Sequence, residues 1–151
     1  MQIVFESVGT VRNCVKEKKD TGWGEDISEI VLDEALSQGL TGLSDFSHVL
    51  VVCYLDKAHF ELSRHLVRRP QGRDNMPMVG IFAQRAKDRP NPIGITACEL
   101  LGVSDNVVTV RGLDAIDGTP VLDIKPYFPM YDCREDAVIP QWVSRLMEHY
   151  F

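Results

Sequence analysis

Ile93-Gly-Ile-Thr-Ala-Cys-Glu-Leu-Leu-Gly-Val103, then Ser104-Asp-Asn106, then Val107-Val-Thr-Val110 is the stretch that decides the fold. A long extended run meets a short polar turn and returns as a β-branched run, which is the pattern of an antiparallel hairpin. Upstream, Ser47-His-Val-Leu-Val-Val-Cys-Tyr-Leu55 is nearly continuous in apolar residues. That suits a central strand buried on both faces. Ile3 to Val11, Ile27 to Leu32, Met76 to Phe82 and Pro120 to Ile124 read as further strands, separated by turn-rich segments such as Ser37 to Asp45. Helical spacing occurs at the end of the chain, where Ile139, Trp142, Val143, Leu146, Met147 and Tyr150 recur and Pro140 suits a first turn. Its stripe is expected to lie as a lid on the core. Many short strands, one terminal helix and no strand–helix alternation predict a mainly β fold. The form expected is a single-sheet, mostly antiparallel β-barrel with a C-terminal α-helix, one domain over residues 1–151.

Composition narrows the function. Of the residues, 44% are hydrophobic and 25% charged, enough for a core and not a disordered balance. No apolar run approaches a membrane span, and the N-terminus lacks a signal-peptide pattern. Cys14, Cys53, Cys98 and Cys133 are scattered with no C-x-x-C pair, so a reducing cytoplasm is the expected location and no zinc site is expected. His48, His59, His65 and Glu61 lack a familiar metal-ligand spacing. The net charge of −6 argues against non-specific nucleic-acid binding. However, residues 64–89 carry Arg64, Arg68, Arg69, Arg73, Arg85, Lys87 and Arg89 against only Asp74 and Asp88, a local +5. That patch suits either a specific polyanion or a solvated loop.

Two blocks hold more polar, Pro and Gly residues than strands or turns require. In Phe82-Ala-Gln-Arg-Ala-Lys-Asp-Arg-Pro-Asn-Pro-Ile-Gly94, the prolines stiffen the chain, and Gly94 permits close approach or positive φ. Arg85 and Arg89 can each offer a fork to a carboxylate or phosphate, or can pair with Asp88, Asp114 or Asp117. In the second block, Asp117-Gly-Thr-Pro120 is a turn whose N–H groups and side chains could also grip a small ligand. Asp123, Lys125 and Tyr127 then alternate onto one strand face, either as a site mouth or as a structural network. Trp23, between two glycines, either plugs the core or faces a ligand. Neither G-x-G-x-x-G, a phosphate loop, H-E-x-x-H nor G-x-S-x-G is present.

Val79-Gly-Ile-Phe-Ala-Gln-Arg85, Arg89-Pro-Asn-Pro-Ile-Gly94 and Asp117-Gly-Thr-Pro-Val-Leu-Asp-Ile-Lys-Pro-Tyr127, with Phe46-Ser-His48 and Val8-Gly-Thr-Val-Arg12, resemble the TsaA/TrmO-like family over nearly the whole chain. The resemblance implies a β-barrel that binds S-adenosylmethionine without a Rossmann fold, usually as a homodimer. It also implies N6-methylation of threonylcarbamoyl-adenosine beside the tRNA anticodon. On matching positions it implies cofactor contacts at Arg85, Ile95, Asp117, Gly118, Thr119 and Pro120, and at Asp56-Lys57. Substrate contacts are expected at Arg89, Asn91, Lys125, Arg68 and Arg69, with Asp123 or Tyr127 receiving or directing a proton. Two departures stand out. Thr21-Gly-Trp-Gly replaces a Pro-Arg-Gln-like stretch, and bacterial tRNA-modifying members extend beyond the barrel where this sequence ends at Phe151. The other readings are a same-fold methyltransferase for another RNA or a small molecule, a cofactor-binding module without turnover, and an OB-like nucleic-acid module.

Overall fold

Alternating inward apolar side chains let six strands curl into one closed sheet. A computed structural model describes residues 1–151. In chain order the strands are β1 (Gly9–Arg12), β2 (Ile27–Leu32), β3 (His48–Tyr54), β4 (Val67–Arg68), β5 (Val79–Gly80), β6 (Ile93–Ser104), β7 (Val107–Arg111) and β8 (Pro120–Pro126). The barrel runs β1-β2-β7-β6-β3-β8 and closes through β1–β8, with every pairing antiparallel. Closure leaves none of the six strands as a bare edge. β4 and β5 form a separate two-stranded sheet inside the long excursion between β3 and β6. Short helices follow at α1 (Leu62–His65), α2 (Pro129–Asp132) and α3 (Gln141–Met147).

The core is the barrel interior. Val49, Val51 and Cys53 of β3 point inward beside Cys98 and Thr96 of β6, with Ile30, Val108, Val110, Val11 and Val121 from the other strands. Leu40 and Leu43, from the 3₁₀ turns between β2 and β3, close one end. The hairpin of β6 and β7 turns at Asp105, whose φ of 54° is left-handed, as short polar residues tolerate.

Four expectations change in detail. The first strand is Gly9–Arg12 only; Ile3, Val4 and Phe5 are exposed because no neighbouring strand extends to meet them. Met76 to Phe82 supplies just Val79–Gly80 before the chain tightens into a 3₁₀ turn at Ile81–Ala83. The apolar run of β3 is buried on one face only, because no second layer covers the outside of a single-sheet barrel. Finally, α3 is no lid on the core. None of its residues is buried, and Trp142 faces the 69–77 loop rather than the barrel.

Candidate functional site at one mouth of the barrel

Antiparallel closure puts the C-terminal ends of β1, β3 and β7 and the N-terminal ends of β2, β6 and β8 at one mouth. The connections there are residues 13–26, 55–92 and 112–119. Asp56, Lys57, Arg85, Arg89, Asn91, Asp117, Gly118 and Thr119 all lie on these connections, with Pro120 opening β8 and Ile95 two residues into β6. The sequence blocks, far apart along the chain, therefore meet at one rim.

The stiff Pro-rich turn is tied to the end of β3, where Leu55 N–H donates to the Pro92 carbonyl at 2.8 Å and Gly94 faces the Leu55 side chain. Arg85 donates from Nη2 to the Ile95 carbonyl at 2.7 Å, and Arg89 donates to the Gln84 carbonyl at 3.1 Å. Neither arginine is ion-paired with Asp88, Asp114 or Asp117, which have other partners. The exposed Arg85 guanidinium thus keeps further N–H groups for an incoming acceptor. Gln84, only 6% exposed, staples β4 to β5 by donating to the Arg68 and Val79 carbonyls. Asp88 sits between Lys87 and Arg68. Burial pushes its pKa up, but the Lys87 bond, the His59 N–H and both cations outweigh that and hold it below the ordinary value.

The Asp117 turn differs from its expected use. Its N–H groups are already spent: Asp117 donates to Val15, Gly118 to Val11 and Thr119 to Ile116. The Thr119 hydroxyl also donates to the Ile116 carbonyl. Gly118 has φ +82°, which a glycine adopts without the penalty of a side chain. Asp117 accepts from Lys16 at 2.6 Å and from the Asn13 N–H at 3.0 Å, contacts that lower its pKa. What this turn presents to a ligand is acceptor oxygen, not donor N–H.

Sequence reasoning missed a polar cluster in the same mouth. Asp114 accepts from the Thr96 hydroxyl and from the Tyr150 hydroxyl, the latter at 2.6 Å. Burial, then the charge and hydrogen bond of Asp114, push the Tyr150 pKa well up, while the Arg85 charge works the other way. Gly22 and Trp23 N–H groups also bind the His149 and Tyr150 carbonyls at 2.9 Å. Gly24 approaches Phe151 so closely that a Cβ would lie 2.7 Å from its carbonyl carbon. The C-terminal tail is therefore docked against the first loop. Trp23 plugs this junction: it is 3% exposed, its indole N–H bonds the Lys19 carbonyl, and Lys19 lies over its ring. A polar Thr96 on the inward face that Cys98 shares was the available signal.

The outer wall separates the remaining candidates. Asp123, Val52 and Ile95 are cross-strand neighbours in one row, placing Asp123 ~10 Å from Ile95 by strand spacing. Lys125 binds Asp123 at 2.6 Å, which raises the Lys125 pKa. Tyr127 lies beside His48, with ring centroids 6.2 Å apart, ~13 Å farther along the chain from Asp123 toward the other end. Arg68 and Arg69 belong to the β3–β6 excursion, outside the barrel wall. Cys53 and Cys98 are buried thiols pushed up to about 12 by burial and by the Asp114 charge, too protonated to act as nucleophiles. His48 stands at the opposite end of β3 from His59 and His65, and no group of three or more His, Cys, Asp or Glu is spaced to hold a metal ion. No helix is long and apolar enough to cross a membrane.

The family model for the tRNA-methyltransferase O N-terminal domain matches residues 14–133. The chain belongs to that family. An S-adenosyl-L-methionine-binding protein of Archaeoglobus fulgidus is 34% identical over 135 residues, covering 87% of this chain and 94% of its own. The tRNA (adenine(37)-N6)-methyltransferase of Escherichia coli is 35% identical over 144 residues, covering 88% of this chain and 61% of its own. A crystal structure of TrmO from Pseudomonas aeruginosa superposes with a TM-score of 0.76 at 30% identity, over 94% of this chain and 62% of that one. The chain thus spans about three fifths of the Escherichia coli and Pseudomonas aeruginosa proteins and nearly all of the archaeal binding protein.

Proposed function

We propose that the mouth binds S-adenosylmethionine and that the protein transfers its methyl group to an RNA nitrogen, N6 of threonylcarbamoyl-adenosine beside a tRNA anticodon. The observation that carries the cofactor reading is the division of labour at the rim. The Asp117 turn offers acceptors only, and Arg85 offers free donors. The cofactor presents the complement: donors on its ammonium, ribose and adenine groups, and a carboxylate acceptor. The family and the names of the relatives support the same choice.

The bound cofactor supplies an already activated methyl group, so the chain's task is binding and alignment. Arg85 takes the carboxylate, held in place by its bond to the Ile95 carbonyl. Asp117 and the Gly118 carbonyl receive donors from the other end of the molecule. Asp56 and Lys57, just past the end of β3 on the same rim, complete the proposed cofactor contacts. Arg89, Asn91, Arg68 and Arg69 meet the RNA along the basic excursion. Of the two proton-acceptor candidates, Asp123 is the nearer to Ile95, and Lys125 at 2.6 Å orients it. Tyr127 lies farther out and serves, with Lys125, as an outer contact.

The exposed apolar side chains on this wall suit a second copy of the chain. Tyr54, Ile93 and Ile95 are 44%, 37% and 49% exposed, and Phe82 of the β3–β6 excursion is 81% exposed. Sedimentation at rising concentration tests the dimer; a monomer at all concentrations contradicts it.

The activity test incubates the protein with S-adenosylmethionine and tRNA carrying the threonylcarbamoyl group, then digests the RNA to nucleosides for mass spectrometry. The expected result is gain of one methyl on that nucleoside. Cofactor binding with no gain on any RNA favours the module without turnover, which the name of the archaeal relative fits equally well. Gain on a different nucleoside shifts the acceptor and keeps the reaction.

A further inference from the structure

Within the β3–β6 excursion, a cavity of about 490 Å³ opens between α3 and the loop that follows β4. It is an open recess lined mostly by polar side chains. Its walls bring together an aromatic ring, two guanidinium groups and two polar side chains: Trp142, Arg69, Arg145, Asp74 and Asn75, over the buried Met76.

Trp142 and Arg145 are three residues apart on α3, so their side chains share one face. Trp142 is only half-buried, which leaves part of the indole open to the cavity. Arg69 is fixed by donating to the Met76 carbonyl, and its loop is stiffened by Pro70 and Pro77. Neither Arg69 nor Arg145 belongs to any ion pair of the molecule, and neither does Asp74. The cavity therefore holds two guanidinium groups and one carboxylate outside any ion pair, a local net +1, on a protein whose net charge is −6.

A flat ring beside paired guanidinium groups is the chemistry that takes an aromatic base carrying a phosphate. Asp74 and Asn75 add an acceptor and a donor for a base edge. The cavity also connects to the mouth through the small sheet. Arg68 follows Val67 in β4, Gln84 ties β4 to β5, and Arg89 binds the Gln84 carbonyl. We propose that this cavity is a second RNA contact, holding one unpaired nucleotide of the substrate by stacking on Trp142 and by phosphate contacts to Arg69 and Arg145. The assignment rests on the RNA reading of the preceding subsection and adds a site that shares no residue with the proposed cofactor contacts.

The test measures binding of a fluorescently labelled single-stranded oligoadenylate of about ten nucleotides, a length within the usual span of single-strand grooves. It uses the full chain, its Trp142→Ala, Trp142→Phe and Arg145→Glu variants, and a parallel S-adenosylmethionine titration of each. Trp142→Ala and Arg145→Glu are expected to weaken oligonucleotide binding about tenfold or more, in line with the loss of one stacked base or one phosphate contact. Trp142→Phe is expected to retain most of it. Arg145→Glu also lowers the slope of log affinity against log salt by about one, while cofactor affinity stays unchanged. Arg145 is exposed, so this variant tests the site without disturbing the core.

Oligonucleotide affinity equal to wild type in both variants overturns this site and leaves the RNA reading intact. If the wild-type chain binds cofactor but no oligonucleotide, the site falls together with the RNA reading. Adenosine monophosphate quenching Trp142 fluorescence without any oligonucleotide binding overturns the RNA assignment in favour of a free mononucleotide.

Discussion

The two ends of the barrel are built from the same six strands and carry very different chemistry. At the mouth, the connections of residues 13–26, 55–92 and 112–119 bring in Arg85, Asp114, Asp117 and the docked tail. At the other end, residues 33–47 fold into 3₁₀ turns that bury Leu40 and Leu43, and β6 returns to β7 through Asp105 and Asn106. There, polar side chains mostly finish turns. Asp33 caps by accepting from the Ala35 N–H at 2.9 Å, and Asn106 donates to the Leu32 carbonyl. The closed sheet is the rigid support, and the connections on one side of it hold the polar groups that the strands have no need of.

The comparison can be broken by changes graded in size. Ile30 is fully buried in the layer shared by both ends, so Ile30→Ala is expected to cost ~2–5 kcal/mol in chemical denaturation. A loss confined to one end, with the other still protected in hydrogen exchange, would deny that the barrel is one cooperative support. Arg85→Ala is expected to leave stability within ~0.5 kcal/mol, since the side chain is exposed, and to remove ~1.5–3 kcal/mol of cofactor binding. Gly118→Ala forces a side chain into positive φ and is expected to cost ~1–2 kcal/mol in thermal unfolding, with weaker cofactor binding as well. Tyr150→Phe removes one hydrogen bond to Asp114 and is expected to cost ~1 kcal/mol. Its mark is faster proteolysis or exchange in the tail and first loop, with the far end unchanged.

The pH response sharpens the contrast further. Asp88 and Asp117 have folded-state pKa values below their ordinary value. Their contribution to stability is complete above the unfolded aspartate pKa of ~3.9 and is lost as pH falls through the lower folded values. Thermal unfolding of wild type between about pH 5 and pH 2 is therefore expected to show an acid limb that Asp117→Asn flattens. An identical limb in the variant would detach Asp117 from mouth stability.

Much of this molecule was legible in its sequence because local and tertiary requirements agree. Ile27–Leu32 is apolar at four of its six positions, and its inward residues Ile30 and Leu32 are core. The β6–β7 hairpin follows from its turn and its β-branched return strand. The failures occur where a partner decides the outcome. Ile3 to Phe5 has strand composition but no strand to pair with. The α3 stripe has core-helix spacing, yet it meets a polar loop. The blocks around Arg85 and Asp117 meet at one rim, but their sequence did not show how each group is bonded. Whether the Asp117 turn offers N–H groups or oxygens depends on Val11 and Val15 more than one hundred residues away. The Tyr150–Asp114 contact joins residues 36 apart through the fold and has no local sequence signature.

We propose that one mouth of the barrel is a cofactor site built on Arg85 and the Asp117 turn. Calorimetric titration with S-adenosylmethionine, repeated with S-adenosylhomocysteine and on the Arg85→Ala and Tyr127→Phe variants, tests it most directly. The account expects both ligands to bind the wild-type chain, binding to fall at least tenfold in Arg85→Ala, and Tyr127→Phe to bind as wild type. Equal affinity in wild type and Arg85→Ala, or no binding of either ligand to the wild-type chain, would contradict it.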